Sequence, residues 1–264
     1  MPVFRFELTR QALSYLGTCA LALLLSVGLL GGFYPVFHDA QHEFAAVLAS
    51  YPPQFLEAFG AGSDILTFAG FLSFVAVYLE LTVAIAGFSW GLAVFGRERR
   101  DRCDEFLLTR AQGRVSIFGQ KLLACLIGIA GVTATLVLGA IGAAHVTDLG
   151  ADTDRLALAF AAMGGVCLVF MLMGALAGVL LPRVRSVSGW ATSAGIIGFI
   201  LAVLPDLTDE DKLRAISPFS WFSPAHVMEA GTLDAGYLAI AIAVGACSLV
   251  VALAAYARSD ARSV

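Results

Sequence analysis

Glu80 is the single charged residue in a run of 32, Ile65 to Gly96, that otherwise contains no Asp, Glu, Lys or Arg. A lone charge at mid-membrane costs about 3 kcal/mol on insertion scales, so this carboxyl must face protein or water. Three roles are open to it: a structural hydrogen bond from the protonated acid to a neighbouring helix, a polar point on a substrate path, or proton coupling. Seven residues on, Gly87-Phe88-Ser89-Trp90-Gly91 has the letters of the G-x-S-x-G nucleophile elbow. That motif needs a strand-to-helix turn and a histidine in reach. Here it lies inside an apolar helical run, while His38, His42, His145 and His226 all fall in or beside the loops on one side. His42-Glu43 lacks the second histidine of a zinc H-E-x-x-H site. The five cysteines, Cys19, Cys103, Cys125, Cys167 and Cys247, have no metal-ligand spacing, and their places in apolar runs or a basic loop argue against structural disulfides. The only two lysines follow Gln120 and Asp211, so no Gly-Lys-Ser/Thr step exists to hold a nucleotide's phosphates.

The richest stretch is Arg97-Glu98-Arg99-Arg100-Asp101-Arg102-Cys103-Asp104-Glu105-Phe106-Leu107-Leu108-Thr109-Arg110. A loop needing only solvation would not place Phe106, Leu107 and Leu108 among so many charges. One reading is a short helix that offers these side chains to a partner's groove, with Asp104, Glu105, Thr109 and Arg110 setting orientation at the rim. The other is a polybasic anchor on anionic lipid with its apolar side in the membrane.

Behind these residues stands a chain of 264 residues that is 59% hydrophobic and 14% charged, with a mean hydropathy of +0.86. Soluble domains are close to a quarter charged, so the apolar surplus places this chain in a bilayer. Five charge-free gaps are long enough to span one: Gln11 to His38 (28 residues), Leu122 to Thr147 (26), Leu156 to Pro182 (27), Ser186 to Pro205 (20) and Ala235 to Ala257 (23). The run around Glu80 makes a sixth. Pro35, Pro182 and Pro205 fall at span ends. Tyr15 and Tyr34, and likewise Tyr237 and Tyr256, are 19 residues apart, about 28 Å of helix, and read as interfacial markers of a ~30 Å core.

Charge sorting sets the orientation. With both termini on one side, that side holds 13 of the 16 basic residues, while the other has Arg155, Lys212 and Arg214 against 13 acids. The positive-inside rule puts the termini in the cytoplasm. The expected organisation is a single membrane domain, 1–264, with an interfacial helix at 3–12 and spans at about 14–37, 66–95, 119–144, 156–181, 187–204 and 236–257. A cytoplasmic loop covers 97–118, and outer loops cover 38–64, 145–155 and 205–235. The first span is too long for a signal h-region and reads as a retained anchor. In the first outer loop Phe44, Val47, Leu48 and Tyr51 recur at helical spacing before Pro52-Pro53, as on a membrane surface. In the last, Phe219, Trp221 and Phe222 between two Ser-Pro steps suggest short helices at the outer interface, with Ser223 and Pro224 as N-cap and N1. Ser73, Ala76, Val77, Glu80, Ala84, Gly87 and Gly91 form one mostly small stripe, and Gly174 and Gly178 a G-x-x-x-G step; both read as packing faces.

At the 97–118 loop the sequence resembles the permease subunit of ABC-2 type ABC transporters. Glu98, Glu105, Leu107, Leu108, Thr109 and Arg114 match that family's second cytoplasmic segment, and Gly119, Lys121 and Leu122 the G-x-K-L step after it. Ser217-Pro218-Phe219 is similar to its outer loop before the last span, and Tyr256-Ala257-Arg258-Ser259-Asp260 to its closing F-x-R-R-D. The chain departs from the pattern at Arg102-Cys103, Ala111 and Ser259.

The resemblance implies an all-α integral membrane protein of six transmembrane helices with the type V ABC transporter architecture and both termini cytoplasmic, in a prokaryotic cell membrane. It implies that two permeases, identical or not, pair to form an export path. It also implies that each binds a cytoplasmic ATPase through a coupling helix, here about Cys103 to Gln112 with Asp104 to Arg110 at its heart. ATP and magnesium then belong to the partner chain, this chain binds no cofactor and is no enzyme, and nucleic acid is not a partner. Two other classes compete. An intramembrane protease needs paired catalytic groups within spans, where only Glu80 is available. A self-sufficient secondary transporter should show inverted repeats and interrupted helices.

Overall fold

The computed structural model describes residues 2–40, 43, 45, 47, 50, 67–97, 113–147, 152–181, 184–208 and 211–258. Among them every element is helical. Helix α1 is Pro2–Val27; a π-helical stretch, Gly28–Phe33, joins it to α2, Tyr34–Asp39. The long helices that follow are α3, Phe68–Phe95, α4, Arg114–Thr147, α5, Thr153–Leu180, and α6, Val187–Thr208. Two 3-10 turns, Asp211–Ile216 and Ser220–Phe222, lead to the short α7, Pro224–Ala230, and to α8, Ala235–Arg258. Six helices are long and apolar enough to cross a membrane.

Five of the helices, α3 and α5 to α8, start at a capping side chain. Thr67 accepts from the amide of Gly70 at 3.1 Å, Ser186 from Gly189 at 3.1 Å, Ser223 from His226 at 3.4 Å, and Asp234 from Gly236 and Tyr237 at 2.7 and 3.1 Å. Asp152 opens α5 in the same way, accepting from Asp154. Each satisfies a donor that the first turn leaves unpaired, a contribution of about 1 kcal/mol. Ser223 and Pro224 take the cap and N1 places that their order suggests.

The N-terminal region departs from expectation. Residues 3–12 are not a separate interfacial helix: α1 runs through them without a break into the first span. No proline or glycine lies between Val3 and Leu16, so nothing in the chain ends the helix there. The rod from Val3 to Asp39 has 37 residues, about 55 Å, well beyond a ~30 Å hydrocarbon core. Its register widens at Gly28–Phe33, where the Tyr34 amide bonds to the Leu29 carbonyl five residues back. Three glycines and the following Pro35, which has no amide to give, weaken the ordinary register at this point.

Helix α5 is the hub. It packs against α3, α4, α7 and α8, and 67% of its most apolar window is buried, against 17% for α1 and α6 and 22% for α8. Helices α3 and α5 cross backbone to backbone, and their glycines explain why. A methyl on Gly87 would overlap the Cys167 carbonyl, one on Gly91 the Met171 carbonyl, one on Gly174 the Phe88 carbonyl, and one on Gly178 the Gly96 backbone. Backbone meets backbone here because neither helix carries a side chain between them, the arrangement by which membrane helices gain dispersion contact without a hydrophobic driving force. Both expected packing faces are therefore realised by the same contact. Pairings of successive residues show α3 and α5 running parallel, as do α1 and α4 through Gly128 on Tyr15, Gly139 on Ser26 and Gly31 on Ala143.

Candidate functional site

Three places hold the residues that the sequence marks out. The first is mid-bundle. Glu80 shares the α5-facing stripe of α3 with Ala84, Gly87 and Gly91 and is only 4% exposed. Its Oε1 has no hydrogen-bond partner among the described residues. A buried polar atom left without a partner is uncommon enough to require a reason. Ser26, wholly buried on α1, has its hydroxyl oxygen in the same condition. The G-x-S-x-G letters form no elbow: Ser89 gives its hydroxyl to the Ala86 carbonyl at 2.8 Å within an unbroken helix.

The second place is the end of the bundle that carries both Pro2 and Arg258. Glu7 of α1 and Arg97, just past the end of α3, form an ion pair of 2.5 Å that is almost fully buried. The Arg97 guanidinium also lies 5.9 Å from the Phe6 ring centre, within range of a cation–π attraction. Lys121, 2% exposed, donates to the Val94 carbonyl at 2.9 Å. That carbonyl is one of those the last turn of α3 leaves unpaired, and an ammonium at a helix C-terminus also answers the helix dipole. The same Nζ stands 5.9 Å from the Phe95 ring and 5.8 Å from Tyr256, and Phe118 bridges those rings at 4.7 and 5.6 Å. The Phe4 amide donates to Gln120 at 3.3 Å, and Arg114 to the Ala257 carbonyl at 3.4 Å. Arg97 and Arg114 flank the stretch with the charged and apolar residues; Asp104, Glu105, Phe106, Leu107, Leu108, Thr109 and Arg110 lie outside the described residues.

The third place is the far end. Phe219, Trp221 and Phe222, expected as interfacial anchors, are buried inside the bundle. Phe219 rests on Gly198 and stacks edge-on with Phe170 at 5.4 Å; Phe222 fills the space over Gly165; the Trp221 indole donates to Ala215 at 2.9 Å. Ser217 donates to the Gly198 carbonyl at 2.9 Å. The loop thus folds back as a wedge among α5, α6 and α8. Arg155 holds the wedge to α5 by donating to the Met228 and Glu229 carbonyls at 2.9 and 3.0 Å, where α7 ends on Gly231 in the left-handed conformation, φ +71°. Replacing Arg155 by Met leaves those carbonyls to solvent, and we expect a loss of about 1 kcal/mol, read as a small fall in thermal unfolding temperature of the detergent-solubilised protein.

Tyr15, Tyr34 and Tyr256 are buried against neighbouring helices. Tyr15 meets Trp90 edge-on at 4.7 Å, and the Trp90 indole reaches Ser14 at 2.9 Å. Tyr34 joins Phe33, Phe37 and Phe71 in an aromatic cluster that ties α1 and α2 to the start of α3. Sequence reading missed the Glu7–Arg97 pair and Lys121's burial. The one available signal was Glu7 itself, an acid among basic residues at the head of an apolar helix.

Over residues 8–257 the chain matches the family model described as "Multidrug efflux system permease Rv1217c, C-terminal domain". The chain belongs to this permease family. No curated protein and no solved structure gives a match. The family and the six apolar helices make the permease a multi-pass membrane protein and a transporter component. Its described geometry is a tight α3–α5 core with more lightly packed outer helices and polar contacts at the two ends.

Proposed function

We propose that this permease is the membrane subunit of an ATP-driven exporter of the ABC-2 type. Two permease copies form the path, and a separate cytoplasmic ATPase docks on the segment from about Cys103 to Gln112, with Phe106, Leu107 and Leu108 in its groove and Asp104, Glu105 and Arg110 at the rim. The observation that carries this reading is the permease family match over residues 8–257, joined to a charged stretch with three apolar residues at its centre in a chain with no phosphate-binding lysine of its own. The family's printed description makes drug-like compounds the first substrate class to try, with efflux as the direction. ATP and magnesium bind on the partner, and the termini face the cytoplasm with 13 of 16 basic residues on that side.

Purification of the tagged permease in mild detergent from its native host tests the reading. A co-purifying ABC ATPase in stoichiometric amount is the expected result; a permease that exports while purifying alone would overturn it.

Within this reading Glu80 gains a role. Its Oε1 has no partner among the described residues, and in this reading a partner is supplied when the helices move or substrate passes. Glu80→Gln is expected to assemble at wild-type level with export reduced several-fold, measured as efflux of a fluorescent drug from cells with matched expression. Wild-type efflux would remove Glu80 from the path.

A further inference from the structure

The register of α3 on α5 fixes what stands level with Glu80. Gly87 lies against Cys167 and Gly91 against Met171, so in both pairs the α5 residue is eighty positions on. Glu80 is therefore level with Phe160, which is fully buried and falls on the same α3-facing stripe of α5 as Cys167 and Gly174. The folded-back loop covers this level. Phe222 sits over Gly165, five residues beyond Phe160, and Arg155, five residues before it, holds the Met228 and Glu229 carbonyls. Between those two anchor points lies α7, which packs on both α3 and α5 and buries Pro224 and Val227. Helix α1 runs antiparallel to α3, with Ser14 and Tyr15 at Trp90 and Tyr34 at Phe71, and this sets Ser26 opposite Leu79. Two buried polar atoms without a hydrogen-bond partner among the described residues, Glu80 Oε1 and Ser26 Oγ, thus occur at one level of the bundle.

The chemistry at this level selects among ligands. Glu80 has no ion pair among the described residues, so burial and an aromatic ring are present without a counter-charge. A metal ion needs several oxygen ligands in exchange for its water, and no cluster of three His, Cys, Asp or Glu side chains that could hold a metal occurs among the described residues. An organic cation needs no such shell. Its charge is spread under apolar substituents, one carboxylate answers it, and the face of a ring attracts it. A neutral ligand leaves the carboxyl without a counter-charge, and an anion meets a like charge.

We infer that Glu80 and Phe160, under the cover of α7, form a binding site for a lipophilic organic cation, so that this permease selects its drug-like substrates by positive charge. The inference rests on the efflux reading above and adds the charge of the substrate to it.

The experiment measures binding of radiolabelled tetraphenylphosphonium to the purified permease and, separately, of tetraphenylborate, an anion of nearly the same size and shape. Wild type is compared with Glu80→Gln, Glu80→Asp and Phe160→Leu, with thermal unfolding recorded for each. Wild type is expected to bind the cation saturably and the anion not at all. Glu80→Gln lowers cation affinity by about 10- to 100-fold, the span for losing a bond to a charged group. Glu80→Asp keeps part of that affinity, and Phe160→Leu lowers it about 2- to 10-fold. A second readout needs only wild type, whatever the variants' stability. Dicyclohexylcarbodiimide labels carboxyls within membrane proteins, and tetraphenylphosphonium but not tetraphenylborate is expected to protect Glu80, read by mass spectrometry of its peptide. Equal cation affinity of wild type and Glu80→Gln, equal binding of the anion by wild type, or absence of protection would each overturn the site. Neither measurement uses ATP. Export of neutral drugs without cation binding at Glu80 removes the site and keeps the efflux reading; Glu80-dependent cation binding by a permease that exports nothing removes the efflux reading and keeps the site.

Discussion

Gly91→Leu is expected to leave little folded permease, while Gly142→Leu, the same change in another apolar helix, is expected to be almost silent. At Gly91 even a methyl overlaps the Met171 carbonyl and crowds Ala175 and Gly174, whereas nothing lies within 4 Å of the corresponding point on Gly142. Side-chain overpacking in a core costs roughly 1–3 kcal/mol when neighbours can rotate away. Here the obstacle is backbone, which cannot rotate, so relief requires prising α3 from α5 along their length. The cost should exceed that range and approach the few kcal/mol of net stability that a domain has. Fluorescence-detected size exclusion and thermal unfolding of the two variants in one detergent provide the check. Equal behaviour of the pair would mean that the α3–α5 crossing is not as close as described.

Leu107→Asp is expected to abolish export without disturbing the fold. On the docking proposed above its effect is on association: a carboxylate in the place of an apolar anchor removes a contact and buries an unpaired charge. Central interface anchors cost about 2–4 kcal/mol when truncated, roughly 30- to 1,000-fold in affinity. Glu105→Lys acts at the rim and is expected to weaken ATPase capture in a salt-dependent way, since reversing a rim charge alters encounter more than the docked contact. Pull-down of the ATPase at low and high salt separates the two. An anchor to anionic lipid predicts the opposite pattern, with ATPase capture unaffected by either change.

Much of the fold is legible in the residues because a bilayer allows few solutions. Charge-free length marks five spans and the run around Glu80 a sixth, and Ser223 with Pro224 marks where α7 begins, since capping is a local event. Gly87, Gly91, Gly174 and Gly178 are legible as packing faces from spacing, though not as each other's partners. Partnership over distance is what periodicity does not carry. Glu7 and Arg97 are 90 positions apart, and each taken alone is an ordinary interfacial charge. Lys121 reads in sequence as a cation at the start of the span expected at 119–144, yet α4 begins seven residues earlier, at Arg114, and carries the ammonium into the bundle. Amphipathic rings favour the membrane interface, which is what the tyrosines and the Phe219–Phe222 aromatics suggest in sequence; which neighbours they meet is not legible there, and glycines at 128, 165 and 198 open room for Tyr15, Phe222 and Phe219 against other helices. Glu80 is conspicuous in sequence and remains so in structure, because it is buried with no partner for Oε1 among the described residues.

The most direct test of the account is drug transport by proteoliposomes holding the purified permease, with and without its co-purified ATPase, on addition of ATP and magnesium. The account predicts drug movement only when ATPase, ATP and magnesium are all present, and none with the Leu107→Asp permease under the same conditions. Drug movement by the permease alone, driven by an imposed ion gradient and indifferent to ATP, would contradict it.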